Sequence, residues 1–139
     1  MLAPCRPTRY IAAMPPLFLV MIGGAIGAGF RYHIGTIALR NLGPLFPWGT
    51  WLVNLIGGLL MGVLAGMLAR GPLVQGEPLR LFLGVGVLGG FTTFSAFSLE
   101  TANMLLRGQA VAAAAYSVSS VAGSVLMLFV GILLTRAIG

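Results

Sequence analysis

The sequence predicts an all-α integral membrane protein with four transmembrane helices, and its composition leads to that fold class. The only charged side chains among the 139 residues are eight arginines and two glutamates. Hydrophobic residues make up 58% of the chain, and the mean hydropathy is +1.02. A soluble domain has roughly 25% charged residues, whereas disordered chains are poor in apolar ones. The composition therefore excludes an ordinary cytosolic enzyme and a disordered protein.

The first two helices are predicted from long uncharged stretches. Helix 1 spans about residues 16–39 and begins at Pro15-Pro16, which suits a helix N-terminus. A turn follows at residues 41–47, which contain two prolines and a glycine. Helix 2 spans about residues 48–69 and begins with tryptophans, which are typical of the membrane interface.

The third and fourth helices follow the most polar connection of the chain. Helix 3 spans about residues 80–106, and the segment Gly89–Ser95 interrupts it, because paired glycines and threonines weaken a helix. Helix 4 spans about residues 109–136. It carries no charge between Gln109 and Thr135, a length of about 40 Å at 1.5 Å per residue, which is enough for a tilted span.

The domain organisation is a single transmembrane domain, residues 16–139, preceded by an N-terminal tail, residues 1–15. Its first two helices carry glycines four positions apart, and this spacing lets helix backbones approach closely in lipid. These glycines are Gly23, Gly27, Gly58, Gly62 and Gly66. We therefore expect tight packing faces on both helices.

The arginines are spread singly along the chain, so the isoelectric point of 11.2 does not indicate a nucleic-acid partner. Five arginines lie on the side of the membrane that holds both termini, and two lie on the other side. When the two arginines of the N-terminal tail are left out, the count is three against two. The bias is weak and is compatible with insertion in either direction. Oligomerisation is expected on size alone, because four short helices can hardly enclose a polar pathway.

Polar groups inside the predicted spans are candidates for function, because membrane helices exclude them unless they are paired or line a cavity. An unwound turn in Gly89–Ser95 would free backbone groups for an ion, whereas a continuous helix with bonded threonine hydroxyls is the alternative. Asn54, one turn after Thr50, needs hydrogen-bond partners and could equally join two helices.

Two further sets of side chains share a helix face. Tyr116, Ser120 and Ser124 follow one another at intervals of four, which predicts a stripe of hydroxyls, although a serine can also bond its own helix. Phe94 and Phe97 are three positions apart. Such rings commonly pack in a core, yet the positive edge of a phenyl ring can contact an anion.

Charge indicates which ion such a path would carry. A proton-coupled cation exporter needs a carboxylate within the membrane, and helix 1 contains none. Apart from arginines at the span ends, the charged side chains within the spans are Arg31 and Glu100, both near span ends. Hydroxyls, an amide and ring edges, approached past an arginine, favour a small anion over a cation.

Three segments carry a family resemblance: the run Gly89-Gly90-Phe91-Thr92-Thr93-Phe94-Ser95-Ala96-Phe97-Ser98, the run Trp51-Leu52-Val53-Asn54 with Gly57, and Gly24-Ala25-Ile26-Gly27-Ala28 through Arg31. Together they closely resemble the Fluc (CrcB-type) fluoride channel family from about residue 17 onward. The resemblance implies a passive fluoride-selective channel, not an enzyme, which exports cytoplasmic fluoride across the inner membrane and confers fluoride resistance. It also implies an antiparallel dual-topology homodimer with two pores.

The resemblance assigns roles to individual residues. The fluoride pore would comprise Asn54, Phe94, Phe97, Tyr116, Ser120, Ser124 and Thr50, with Arg31 and Glu100 in the vestibule and polar track. The backbone carbonyls of Gly89 and Thr92 would hold a structural Na⁺ at the dimer centre, as its cofactor. Ala96 stands where many relatives have threonine, so that position lacks a hydroxyl.

Two other functions remain as alternatives. A small dual-topology multidrug exporter has similar size and span number but requires a glutamate in helix 1. A membrane assembly subunit without transport activity would explain the glycine spacing but leave the hydroxyl stripe of helix 4 unused.

Overall fold

The computed structural model describes residues 15–70 and 77–138. Four helical segments in this part of the chain are long and apolar enough to cross a membrane, which confirms the predicted fold class. They are α1 (Pro16–Leu42), α2 (Trp48–Leu68), a third span (Glu77–Leu106) and α5 (Ala110–Ala137). The prediction of an N-terminal tail lies outside the described residues except for Pro15.

Successive spans run in opposite directions through short connections. Gly43 ends α1 with φ of 80°, and its N–H bonds to the carbonyl of Leu39. Gly108, with φ of 73°, lies between the third and fourth spans. Glycine suits both positions because a side chain rarely adopts positive φ. The N-terminus of α2 and the connection around Gly108 lie at the same end of the molecule, because Trp48, Arg107 and Gln109 line one cavity. We call this the upper end.

The third span consists of two helices separated by extended backbone. Residues 77–91 form α3, and its central part, Arg80–Leu88, is π-helical, a feature that the sequence did not predict. Thr92 and Thr93 are extended, and α4 (Phe94–Leu106) then continues the span. The predicted interruption is thus present, but Gly89–Phe91 are helical and the break is confined to the two threonines.

Glycines bring the helices into backbone contact, as their spacing predicts. A side chain at Gly58, Gly62 or Gly66 would collide with Ser124, Leu128 or Thr135 of α5. On α1, a side chain at Gly23 or Gly27 would collide with the backbone of α3. In lipid no hydrophobic force drives helices together, so the dispersion contacts made at these close approaches stabilise the packing instead. They also place α2 and α5 side by side along their length.

Candidate functional site

Five of the residues predicted to form a pore line a single groove between α2, the α3–α4 break and α5. The groove has a volume of about 400 Å³ and is lined by Asn54, Phe94, Phe97, Ser120 and Ser124, among others. The break in the third span opens into it through Thr92 and Thr93. The structure therefore brings the broken helix and the hydroxyl-bearing face of α5 to one place.

Asn54 holds the break open with its side chain. Its Nδ2 donates to the carbonyl oxygen of Thr93 at 3.2 Å, and its Oδ1 accepts from the N–H of Thr93 at 3.0 Å. These complementary bonds fix the orientation of the amide, since only the nitrogen can donate. The second N–H of Asn54 is not used in this pair, so one donor remains for a ligand in the groove.

The two threonines redirect hydrogen bonds that a continuous helix would form. The N–H of Thr93 would otherwise bond to the carbonyl of Gly89, four residues earlier, but it bonds to Asn54 instead. The N–H of Ala96 would bond to the carbonyl of Thr92, but it bonds to Oγ1 of Thr93 at 3.2 Å. The carbonyls of Gly89 and Thr92 both lose their helical partners in this way.

Thr93 has a structural role at the break that the sequence predictions did not include. It is the N-cap of α4, because its backbone is extended and its hydroxyl accepts from Ala96. A threonine before an apolar helical stretch is a recognised N-cap signal, so this role could have been predicted. The positive end of the α4 dipole lies at the groove as a result.

Ser120 and Ser124 have different hydrogen-bonding states. Oγ of Ser124 donates to the backbone carbonyl of Asn54 at 3.1 Å. Oγ of Ser120 is buried and has no partner among the described residues. A buried polar group without a partner is rare in proteins, and at a groove wall it favours a ligand or water as the missing partner.

The two pore phenylalanines are in contact but differ in exposure. Their ring centroids are 5.4 Å apart at an interplanar angle of 42°. Phe97 is 9% exposed, and its ring centroid lies 5.3 Å from that of Tyr116. Phe94 is 76% exposed and lies at the open side of the groove. Phe97 is therefore held by its own chain, while nothing in the described residues covers Phe94.

Tyr116, Thr50 and Glu100 lie above the groove and form one cluster. Glu100 accepts from Oγ1 of Thr50 at 2.8 Å and from the hydroxyl of Tyr116 at 2.7 Å. Tyr116 is fully buried and does not line the groove. Thr50 and Glu100 line a second cavity of about 340 Å³ at the upper end. The ring of Tyr116 packs on Phe97 of the groove, and its hydroxyl bonds to Glu100 of the upper cavity.

Arg31 and Ala96 occupy less central positions. Arg31 is partly exposed on α1 and lines neither the groove nor the upper cavity. Ala96 contributes its backbone N–H to the N-cap of α4, and its side chain does not line the groove. A second unpredicted contact joins α2 and α5, because Nε1 of Trp51 donates to Oγ of Ser119 at 3.2 Å.

Comparisons with known proteins give a consistent result. Residues 18–132 match the family model described as CrcB-like protein, camphor resistance. A protein from Novosphingobium aromaticivorans named fluoride-specific ion channel FluC is 56% identical over 86% of this chain and 94% of its own length. Proteins of the same name from Sphingopyxis alaskensis and a Chelativorans species are 52% and 56% identical over 88% of this chain and 97% of their own lengths. The chain therefore belongs to the CrcB-like family.

Proposed function

We propose that this chain is a fluoride-selective passive channel of the inner membrane, which releases cytoplasmic fluoride and confers fluoride resistance. The observation that carries the proposal is the groove at the break of the third span, where neutral donors and ring edges meet the N-terminus of α4. Relatives that match nearly their whole length are named fluoride-specific ion channels. A channel conducts down a gradient, so no catalytic residue is required.

The groove suits a small, strongly hydrated anion. Such an ion must exchange its water for hydrogen-bond donors that bind it weakly enough to release it. The remaining N–H of Asn54, the hydroxyl of Ser120 and the ring edges of Phe94 and Phe97 offer neutral contacts of this kind. None of the arginines in the described residues lines the groove, so none would trap the ion there by a full positive charge. Above it, the polar cluster of Thr50, Tyr116 and Glu100 forms the vestibule, and Arg31 belongs to the approach on α1.

A second, oppositely inserted copy completes the pathway in this proposal. The groove is open on the side where the ring of Phe94 is exposed. In a symmetric dimer each copy would cover the groove of the other, giving two pores. The weak bias of the arginines, three against two without the N-terminal tail, allows both orientations.

A structural Na⁺ fits the carbonyls of Gly89 and Thr92. Both lose their helical N–H partners, because Thr93 and Ala96 are bonded elsewhere. Unpaired carbonyl oxygens at membrane depth require a partner, and oxygen is the ligand that hard cations such as Na⁺ prefer. When bound between two copies, the ion would supply positive charge beside the groove. The chain's own residues keep those carbonyls available, through Asn54 and the hydroxyl of Thr93.

The multidrug exporter alternative is not favoured by the charged residues. The chain has two carboxylates, and α1 contains neither. Glu77 is the first residue of the third span, and Glu100 is already bonded to Thr50 and Tyr116. Neither lies in the groove where a cationic cargo would bind.

Efflux from liposomes tests the proposal. Vesicles that contain the purified protein are loaded with potassium fluoride or potassium chloride. They are then diluted, with valinomycin, into a buffer free of fluoride and chloride. An ion-selective electrode follows each anion. We expect rapid release of fluoride, independent of a pH gradient, and no release of chloride above that of empty vesicles. Equal rates for the two anions, or no fluoride release, would contradict the proposal.

A further inference from the structure

A third cavity lies at the lower end of α2 and α5, opposite to the vestibule. It has a volume of about 340 Å³ and is lined by Ala65, Gly66, Ala69, Arg70, Ile132 and Arg136. Arg70 follows the last helical residues of α2, and Arg136 is in the last turn of α5. Both arginines are exposed. We call this the lower cavity.

The lower cavity lies on the same side of the α2–α5 contact as the groove. On α5, Ser124 and Leu128 line the groove, and Ile132 and Arg136 continue at the same interval of four residues into the lower cavity. On α2, Gly57 and Met61 line the groove, and Ala65 and Ala69 continue at the same interval. Residues four apart share a helix face. The two cavities therefore follow one another along the same side of the α2–α5 contact, and the lower one is flanked by two arginines.

Among the described residues, no acidic side chain lines the lower cavity. The chain has two acidic side chains, and one of them, Glu100, lies at the upper end, bonded to Thr50 and Tyr116. The other, Glu77, does not line the lower cavity. Two guanidinium groups at the edge of low-dielectric walls raise the local concentration of anions and the rate at which they arrive. The walls beside them are small and apolar, so they offer few groups to hold an anion tightly.

We propose that Arg70 and Arg136 form a mouth that attracts small monovalent anions to the lower end of the groove and thereby speeds their entry. This inference rests on the proposed channel function. The arginines act by long-range attraction and do not select among anions. Selection belongs to the groove, where the neutral donors and ring edges lie.

The test measures initial fluoride flux through the full-length protein in vesicles of neutral phosphatidylcholine, at fluoride concentrations well below saturation. The variants are Arg70→Gln/Arg136→Gln and the charge-retaining Arg70→Lys/Arg136→Lys. Arg80→Gln is the matched control, because it removes an exposed arginine near the start of the third span that does not line the lower cavity. Ionic strength is set with an impermeant salt to about 10 mM or about 1 M, where the screening length is roughly 30 Å or 3 Å.

At low ionic strength we expect the double glutamine variant to conduct at least about threefold more slowly than the wild type. The lysine variant should stay within error of the wild type, and Arg80→Gln, which removes one charge that does not line the lower cavity, should lose less flux than the double glutamine variant. At high ionic strength all four proteins should conduct equally, and the preference for fluoride over chloride should not change. This pattern would separate attraction by charge from a change of structure.

Three results would contradict the proposed role of Arg70 and Arg136 without contradicting the proposed channel function. The first is a double glutamine variant that equals the wild type at low ionic strength. The second is a loss of flux that persists at high ionic strength. The third is a loss that appears only in vesicles containing anionic phosphatidylglycerol, which would make the lower cavity a lipid headgroup site. Absence of fluoride flux in the wild type would instead refute the proposed function itself.

Discussion

The side-chain amide of Asn54 forms a paired hydrogen bond with the peptide of Thr93, donating to its carbonyl and accepting from its N–H. The pair links α2 to the break between α3 and α4. It takes the place of a helical turn, because it satisfies the Thr93 N–H that the carbonyl of Gly89 would otherwise accept. One side chain thus keeps the third span unwound and presents a remaining donor to the groove.

Replacement of Asn54 by aspartate should stop conduction. An aspartate carboxylate has no N–H to donate to the carbonyl of Thr93, so its oxygen and the carbonyl oxygen would be two acceptors in contact. It would also add a negative charge at the groove. We expect fluoride efflux to fall by at least about tenfold, in line with the loss of a half-buried donor. The control is Asn41→Asp, since Asn41 is exposed and bonds its own helix. Normal flux in Asn54→Asp would remove Asn54 from the path.

Replacement of Phe94 or Phe97 by isoleucine should abolish efflux while the protein still folds. Isoleucine keeps much of the volume but has no ring edge for an anion. Size-exclusion chromatography checks folding, and the fluoride electrode measures flux. Phe129→Ile is the matched control, because Phe129 is 57% exposed on α5 and does not line the groove. If both pore variants conduct like Phe129→Ile, the ring hypothesis is wrong.

Substitution at Gly62 should destabilise the helix pair. An added side chain collides with the backbone of Leu128, and a backbone cannot yield as a side chain does. For Gly62→Val we expect a loss of about 1–3 kcal/mol, as for other overpacked cores, measured as a lower midpoint of thermal unfolding in detergent. Gly29→Ala is the control, since nothing in the part of the chain that the structure describes lies within 4 Å of the added atom. A valine variant as stable as this control would refute close packing at Gly62.

Thr93→Val tests the N-cap of α4. Valine keeps the branched shape but loses the hydroxyl that accepts from the N–H of Ala96. Loss of a cap costs about 1 kcal/mol, and we expect lower thermal stability together with slower fluoride efflux. Thr93→Ser keeps the hydroxyl and should restore both properties. Equal behaviour of the valine and serine variants would show that the cap does not support the groove.

The sequence predicted the spans well because each depends on local hydropathy and on few special residues. The positions of Pro16, Gly43 and Gly108 at helix ends follow from backbone preferences that one residue expresses by itself. The glycine spacing likewise predicted a tight packing face on α2, and the structure shows Gly58 and Gly62 of that face in contact with α5. Local sequence was therefore sufficient to predict the spans, the helix ends and the packing faces.

Features that depend on the partner helix were not predictable in the same way. Tyr116 was placed in the hydroxyl stripe with Ser120, but its hydroxyl bonds to Glu100, which lies on α4. The π-helical segment Arg80–Leu88 arises where α3 packs against α1, and its sequence has no residue that specifies it. These arrangements depend on which surfaces meet, and spacing along one helix does not contain that information.

The most direct test of the central claim is the reversal potential of current through the protein in a planar bilayer. With fluoride on one side and an equal concentration of chloride on the other, a fluoride-selective channel has a reversal potential far from zero, with the sign set by fluoride. We predict that result, unchanged when a pH gradient is added. A reversal potential near zero, or no current at all, would contradict the claim that this groove conducts fluoride selectively.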